Sequence, residues 1–323
     1  MKKLQEAGTL TGSGLLKYKG AGLLKNRKYI RLGRNKYGYI FGWPLILVMF
    51  ALLIYPIVKI SVMSFQNWYL LRPAKNGRFI GLDNFKNLFR DKYFIASVKK
   101  TCLYIAITVP IRYVLGYVTA IMLNRKFVGR SIARGIIVIP WAVPEVVTCL
   151  IWMLMMQKDY GIINTELVRF GLISSGIGWL TSNKVAMTSA VIVNIWKGFP
   201  FVAVMLLAGL QSVPGDLYEA AMVDGASDWK QFWNITVPQL RPISAVVFML
   251  LIVWTIRDYG IVYVLTGGGP SRATEILTIY MYKEAFNDFN YGIAAACGFL
   301  MMVVVLIFVV FYLRAQKQEG MEL

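Results

Sequence analysis

Histidine is absent from all 323 residues. That excludes a histidine-based catalytic triad, a histidine metal site and an imidazole pH switch. Cysteine occurs three times, as Cys102, Cys149 and Cys297, each alone in an apolar stretch. Without a CxxC spacing these are expected to be small core residues rather than metal ligands or a redox pair. No GxxxxGK[ST] sequence occurs, so the chain lacks the phosphate-cradling loop needed to hydrolyse ATP itself. The glycines of Leu265-Thr266-Gly267-Gly268-Gly269-Pro270 do not replace it, because no helix with a lysine follows in the required register. Acid is scarce as well: 16 Asp and Glu stand against 35 Lys and Arg, a formal net charge of +19.

What the chain has in abundance is apolar surface. Hydrophobic residues make up 57%, against about 45–50% in soluble domains, and the mean hydropathy is +0.57. Six stretches reach the roughly 20 apolar residues that a bilayer crossing requires. They lie near 41–62, 102–123, 132–156, 185–210, 243–265 and 293–313. The expected fold is an all-α integral membrane protein with six transmembrane helices.

The positive charge is concentrated. Residues 1–40 carry ten Lys or Arg and a single acid, Glu6. Such a block before a first span is a cytoplasmic anchor beside anionic lipid rather than a nucleic-acid surface. It has no apolar run like that of a signal peptide, so the first span is expected to stay uncleaved, bent by Pro44 and Pro56. Six spans return the C-terminus to the side of the N-terminus. Arg125, Lys126, Arg130 and Arg134, with Arg314 and Lys317, agree with both termini being cytoplasmic. Lys86, Arg90, Lys92, Lys99 and Lys100, and the acids of residues 211–242, count the other way.

The stretch from Gln211 to Pro242 is the long charge-bearing amphipathic segment of the second half. Pro214 suits the first turn of a helix, and Asp216 and Glu219 place negative charge near its positive end. Gly225 breaks the run and Ser227 can cap a second helix, with Pro238 near that helix's end. Leu217, Ala220, Ala221 and Asp224 fall at helical spacing and make a surface of small residues that another protein can approach closely.

Glu219-Ala220-Ala221, Asp224-Gly225-Ala226 and Ile235-Thr236-Val237-Pro238 together resemble the EAA loop of ATP-binding-cassette importer permeases. Phe79-Ile80-Gly81-Leu82-Asp83-Asn84-Phe85, otherwise an interfacial helix capped by Asp83, is similar to the phrase after the first span of the carbohydrate-uptake group. The Leu265–Pro270 phrase is similar to the half of that group related to the maltose importer's larger subunit. The resemblance covers about residues 37–315 and implies the type I importer permease fold. The domains it implies are a basic cytoplasmic segment at 1–37, a transmembrane permease domain at 38–315 with its coupling loop at 211–242, and a cytoplasmic tail at 316–323.

Five charged residues, Arg112, Glu145, Lys197, Arg257 and Asp258, fall inside the expected spans. An ionised group there costs several kcal/mol unless it is paired or wet, so each is a functional candidate or part of an internal ion pair. Span three carries Pro140 and Pro144, which break backbone hydrogen bonding and are tolerated where helices line a cavity. In span four, Asn194, Lys197, Gly198 and Phe201 stand on one helical face. Arg257 and Asp258, about 100° apart on a helix, cannot share one face and need separate partners or water. Lys197 and Asp258 are expected to face a common aqueous cavity between spans four and five.

By resemblance, the sugar-holding positions of maltose-type permeases fall on Asn194, Gly198, Phe201, Thr255 and Asp258. The chain departs from the maltose protein at Phe201, where that protein has tyrosine, and at Thr255 and Asp258, where it has asparagines. Aromatic and polar groups together still suit a carbohydrate. Asp258 favours a neutral hydroxyl-rich ligand, while Lys197 and Arg257 leave an acidic sugar open.

The resemblance also implies the assembly: a second related permease, an ATPase dimer holding ATP and Mg²⁺, and an extracytoplasmic solute-binding protein, in a bacterial or archaeal cytoplasmic membrane. The chain itself is expected to bind no cofactor and to be no enzyme. Glu219, Ala220, Ala221, Asp224, Gly225 and Pro238 are the positions implied to couple to the ATPase. The alternative is an ion-coupled secondary transporter using the intramembrane charges, a class that often shows an internal repeat; none is visible here.

Overall fold

The computed structural model describes residues 42–319. The basic segment expected at 1–37 lies outside them. The fold divides after Lys59, within the first helix, α1 (Gly42–Met63). By itself α1 is an apolar rod interrupted by a π-turn at Phe50–Ile54, ahead of Pro56. Proline donates no N–H and crowds the carbonyl four residues back, and a widened turn relieves both.

From Ile60 onward the chain forms a helix bundle. A short hairpin, β1 (Gln66–Asn67) against β2 (Arg78–Phe79), is antiparallel with Gln66 opposite Phe79. Helix α2 (Asp83–Arg90) follows. Its N-cap position is Leu82, which makes no side-chain cap; Asp83 instead pairs with Lys86 at 3.1 Å, so the cap expected from Asp83 does not form. The buried Asn84 anchors the hairpin by donating to the carbonyls of Ser64 and Gln66, both at 2.9 Å.

Helix α3 (Lys92–Asn124) begins ten residues before its expected apolar core, because Asp91 caps it by accepting from the Tyr93 N–H at 2.8 Å. It packs along α7 (Ala186–Ser212). Gly116 makes that contact close: a Cβ there would overlap Val202. One apolar core joins Val109, Ala120 and Leu123 of α3 to Val202, Leu206 and Leu210 of α7. A second centres on Tyr104, Cys149, Val193 and Ile279. Cys149 and Cys297 are core residues as expected, whereas Cys102 is exposed, facing outward from α3.

Among the described residues four helices are long and apolar enough to cross a membrane alone, α1, α3, α7 and the last helix, and two bent helix pairs reach the same length and apolarity together. In the first pair α4 (Arg130–Ala142) meets α5 (Glu145–Met155) at 93°, with Val143 and Pro144 at the break. In the second, α10 (Arg241–Ile256) leaves the preceding helical segment at 64°. Between the pairs come α6 (Ile162–Arg169) and α7. After Ile256 the chain turns through Arg257–Tyr259 and continues as α11 (Gly260–Thr266). Span five is thus two helices, not the continuous helix expected across 243–265. Helix α12 (Leu277–Phe286) and the last helix, α13 (Tyr291–Glu319), complete the fold. Helix α13 runs on to Glu319, past residue 316, where the tail is expected to begin.

Candidate functional site

The breaks in spans three and five create a cavity of about 400 Å³ at mid-bundle. Asn194, Lys197 and Gly198 of α7 line it, as do Thr255 and Asp258. Five of the six expected path residues therefore converge on one space. The sixth, Phe201, stands behind the wall: its ring centroid is 4.7 Å from Trp254 and 6.0 Å from Trp141, and those two indoles line the cavity. Thr255 is buried and spends its hydroxyl proton on the Leu251 carbonyl at 2.7 Å.

Asp258 is the hub. Its Oδ2 accepts from the Tyr104 hydroxyl at 2.6 Å and from Asn194 Nδ2 at 2.5 Å. The Asn194 Oδ1 in turn accepts from Arg112 Nη1 at 3.0 Å. A buried guanidinium is thereby linked to a carboxylate through one amide, in a place where an unpaired charge is costly. Among the described residues Arg112 Nε has no hydrogen-bond partner.

Arg257 and Asp258 both line the cavity, contrary to the expectation that they cannot share a face. That expectation assumed a continuous helix; α10 ends at Ile256, and the bend at Arg257–Tyr259 lets both residues border the one cavity. Lys197 donates to the Val143 carbonyl at 2.6 Å. Val143 lies where α4 stops before Pro144, so this cation takes up a carbonyl that the break leaves without a helical partner. Glu145 reaches the start of α11, where a Cβ on Gly260 would overlap its carboxyl group.

Sequence reasoning missed Tyr104, Trp141, Trp254 and Tyr259 as cavity or hub residues. The spacing of Tyr104, Thr108 and Arg112 was the available signal: three polar groups four residues apart mark one face of α3.

Residues 211–242 form the expected hairpin. Helix α8 (Gly215–Val223) starts one residue after Pro214, which occupies the N-cap position rather than the first turn. It ends on Gly225 at φ +72°, with Ala226 N–H bonded to Ala221 O at 2.9 Å and Gly225 N–H to Met222 O at 3.1 Å. These two bonds with a left-handed glycine form a Schellman stop. Ser227 caps α9 (Asp228–Gln239). That helix has a π-turn at Phe232–Thr236 ahead of Pro238, the same arrangement as at Pro56.

The Tyr218 and Thr236 hydroxyls meet at 2.9 Å and hold the arms together. Glu219, Ala220, Asp224 and Gly225 are exposed, Ala221 and Pro238 half-buried. Beside them stands Leu217, expected on this surface, together with Met222, Val223, Trp229 and Trp233, which the motif positions did not indicate; all five are exposed.

Membrane-spanning helices around a polar cavity, with a helical hairpin exposed beyond the spans, define a transport permease. Residues 112–318 match the family described as the inner membrane component of binding-protein-dependent transport systems, and the chain belongs to that family. The trehalose/maltose transport system permease protein MalF of Thermococcus litoralis is 37% identical over 285 residues, covering 87% of this chain and 94% of that protein. The diacetylchitobiose uptake system permease protein DasB of Streptomyces coelicolor is 31% identical over 289 residues, covering 88% of each. A chain of a bacterial alginate ABC transporter, solved in complex with an alginate pentasaccharide-bound periplasmic protein, superimposes with a TM-score of 0.75. That match is 24% identical in sequence and covers 88% of this chain and 96% of the other. The fold is that of a type I ABC importer permease.

Proposed function

We propose that this chain forms half of the translocation path of an ATP-driven importer for a sugar, an oligosaccharide or a related hydroxyl-rich solute. The observation that carries the solute class is the cavity itself. Indoles of Trp141 and Trp254 stand beside the amide, carboxylate and cations of Asn194, Asp258, Lys197 and Arg257. Aromatic faces stack on the C–H faces of a sugar while polar groups bond its hydroxyls. Relatives named for trehalose/maltose and diacetylchitobiose support the same class.

The assembly read here holds a second related permease, an ATPase dimer and a solute-binding protein like the periplasmic protein of the alginate complex. ATP with Mg²⁺ is held and hydrolysed on the ATPase, not on this chain. The chain sits in the cytoplasmic membrane with both termini in the cytoplasm. The hairpin at 211–242 docks on the ATPase through Glu219, Ala220, Ala221, Asp224 and Gly225, with Pro238 shaping its second arm, and the exposed apolar side chains beside them enlarge the contact. Nucleotide-driven closure of the ATPases moves the hairpin, and α10, which follows it directly, carries that motion to Asp258 at its far end.

The test is to purify the tagged chain in mild detergent, identify its companions by mass spectrometry and reconstitute the complex in liposomes. Recovery of an ATPase and a second permease, with ATP-dependent uptake of radiolabelled sugar, is the expected result. A chain that purifies alone and moves solute under an ion gradient overturns the reading.

A further inference from the structure

From the central cavity a row of aromatic rings leads outward, and all but its first ring lie outside that site. It begins with Tyr259, which lines the cavity at the bend between α10 and α11. The Tyr259 ring stacks on Tyr263 with centroids 4.8 Å apart and planes inclined by 20°. Tyr282 of α12 lies 5.0 Å from Tyr263 and 5.3 Å from Tyr259, and Phe286 follows 4.9 Å beyond Tyr282. The row leads away from the hairpin end of α10.

These rings are not sealed in a core. Tyr263 and Phe286 are exposed and Tyr282 is half-buried. Beside them opens a second cavity of about 460 Å³, lined by Tyr263, Gly267, Tyr282, Lys283 and Asn287. Its polar wall is held in place: Lys283 donates to the buried Glu275 at 2.6 Å, which also accepts from Arg272 at 2.9 Å. The Tyr263 and Tyr282 hydroxyls stand 3.3 Å apart on the same side.

We infer that Tyr259, Tyr263, Tyr282 and Phe286 form an aromatic track with an outer sugar subsite at Tyr263, Tyr282 and Asn287, along which a saccharide passes to the central cavity. Rings in steps comparable to one pyranose unit offer a continuous series of stacking faces. Their hydroxyls and Asn287 offer exchangeable hydrogen bonds, so no single position holds the sugar tightly. The Tyr263 and Tyr282 hydroxyls bond each other and border a cavity whose wall also carries Lys283 and Asn287, so the rings adjoin polar groups able to bond a hydroxyl-rich ligand and not only an apolar surface. This rests on the sugar reading above.

The test uses the complete importer complex in proteoliposomes, with radiolabelled maltose, trehalose and diacetylchitobiose as probes below saturation. Tyr282→Leu and Tyr263→Leu keep apolar volume and remove the stacking face. Each is expected to lower initial uptake of whichever probe the parent complex moves by about three- to tenfold, the worth of one aromatic contact. Tyr282→Phe, which keeps the ring, is expected to fall between the parent and Tyr282→Leu. ATP hydrolysis and co-purification of all subunits are expected to persist. Unchanged uptake in both Leu variants overturns the track. Loss of the second permease from either variant also overturns it, by showing that the face is a subunit interface. A parent complex that moves none of the three probes removes the sugar reading, and the track with it.

Discussion

Gly198 of α7 lies directly against the guanidinium of Arg112 on α3, so close that a methyl group at position 198 would overlap it. The glycine is therefore the space in which Arg112 reaches Asn194. Gly198→Ala is expected to push the guanidinium away, break the 3.0 Å bond to Asn194 and lower uptake by an order of magnitude or more, roughly the effect of misplacing a binding group. Gly135→Ala, on a helix where nothing lies within 4 Å, serves as the control and is expected to transport normally. Equal rates for the two variants refute the argument.

The link from Arg112 through Asn194 to Asp258 makes a second prediction. Arg112→Met leaves a carboxylate in the bundle without its cation, and loss of one partner of a buried pair costs on the order of 3 kcal/mol. Asp258→Asn leaves the opposite charge unmatched. The double variant removes both charges and is expected to be less destabilised than the sum of the singles, as read from thermal melting of the purified complex. Strict additivity would show that the two charges do not sense each other across the amide.

The docking role proposed for the hairpin is tested at Gly225. Its φ of +72° is closed to proline, and its N–H donates to Met222. Gly225→Pro is expected to unwind the stop of α8, displace Glu219 and Asp224, and cut the sugar moved per ATP hydrolysed at least several-fold while the spans remain folded. Gly225→Ala, which is only strained, is expected to cost about 1–2 kcal/mol in the hairpin and to reduce coupling less. An unaltered transport-to-hydrolysis ratio in the proline variant would remove the hairpin from the coupling path.

The sequence made the spans legible because apolar length is a strong signal, and the hairpin legible because Gly225, Ser227 and Pro238 act locally on the backbone. Asn194, Lys197 and Gly198 border one cavity, in keeping with their shared helical face, because they lie on one unbroken helix. Phe201 stands one layer back, behind the indoles of Trp141 and Trp254, and Arg257 and Asp258 border one cavity only because span five stops being helical at Ile256. Nothing at Ile256–Gly260 marks that break as a proline would, since the bend is stabilised by tertiary groups. Tyr104 and Asn194 hold Asp258, and the Thr278 hydroxyl donates to the Asp258 carbonyl at 2.5 Å. These partners are 20 to 154 residues away in sequence, beyond the reach of a periodicity argument.

The last prediction concerns pH. Glu284, on α12 and outside the spans, has its carboxyl group raised from 4.5 to about 7, first by burial and then by the neighbouring charge of Asp288. Asp91, which accepts from the Tyr280 hydroxyl at 2.7 Å, adds further negative potential, while Tyr280 and Arg272 act in the opposite sense. A carboxyl group with a raised folded value binds its proton more tightly in the folded than in the unfolded chain. Its favourable contribution is complete below about 4.5 and is lost as pH rises through about 7. The region joining α12 to the start of α3 is therefore expected to loosen between pH 5 and 8, seen as lower hydrogen-exchange protection, relative to the intrinsic rate at each pH, in residues 277–290 and a lower melting temperature. Glu284→Gln stays neutral throughout and is expected to flatten that part of the profile. A parent and a Gln variant with the same slope across pH 5–8 would mean that Glu284 titrates alike in both states, and that the acids around it leave its proton undisturbed.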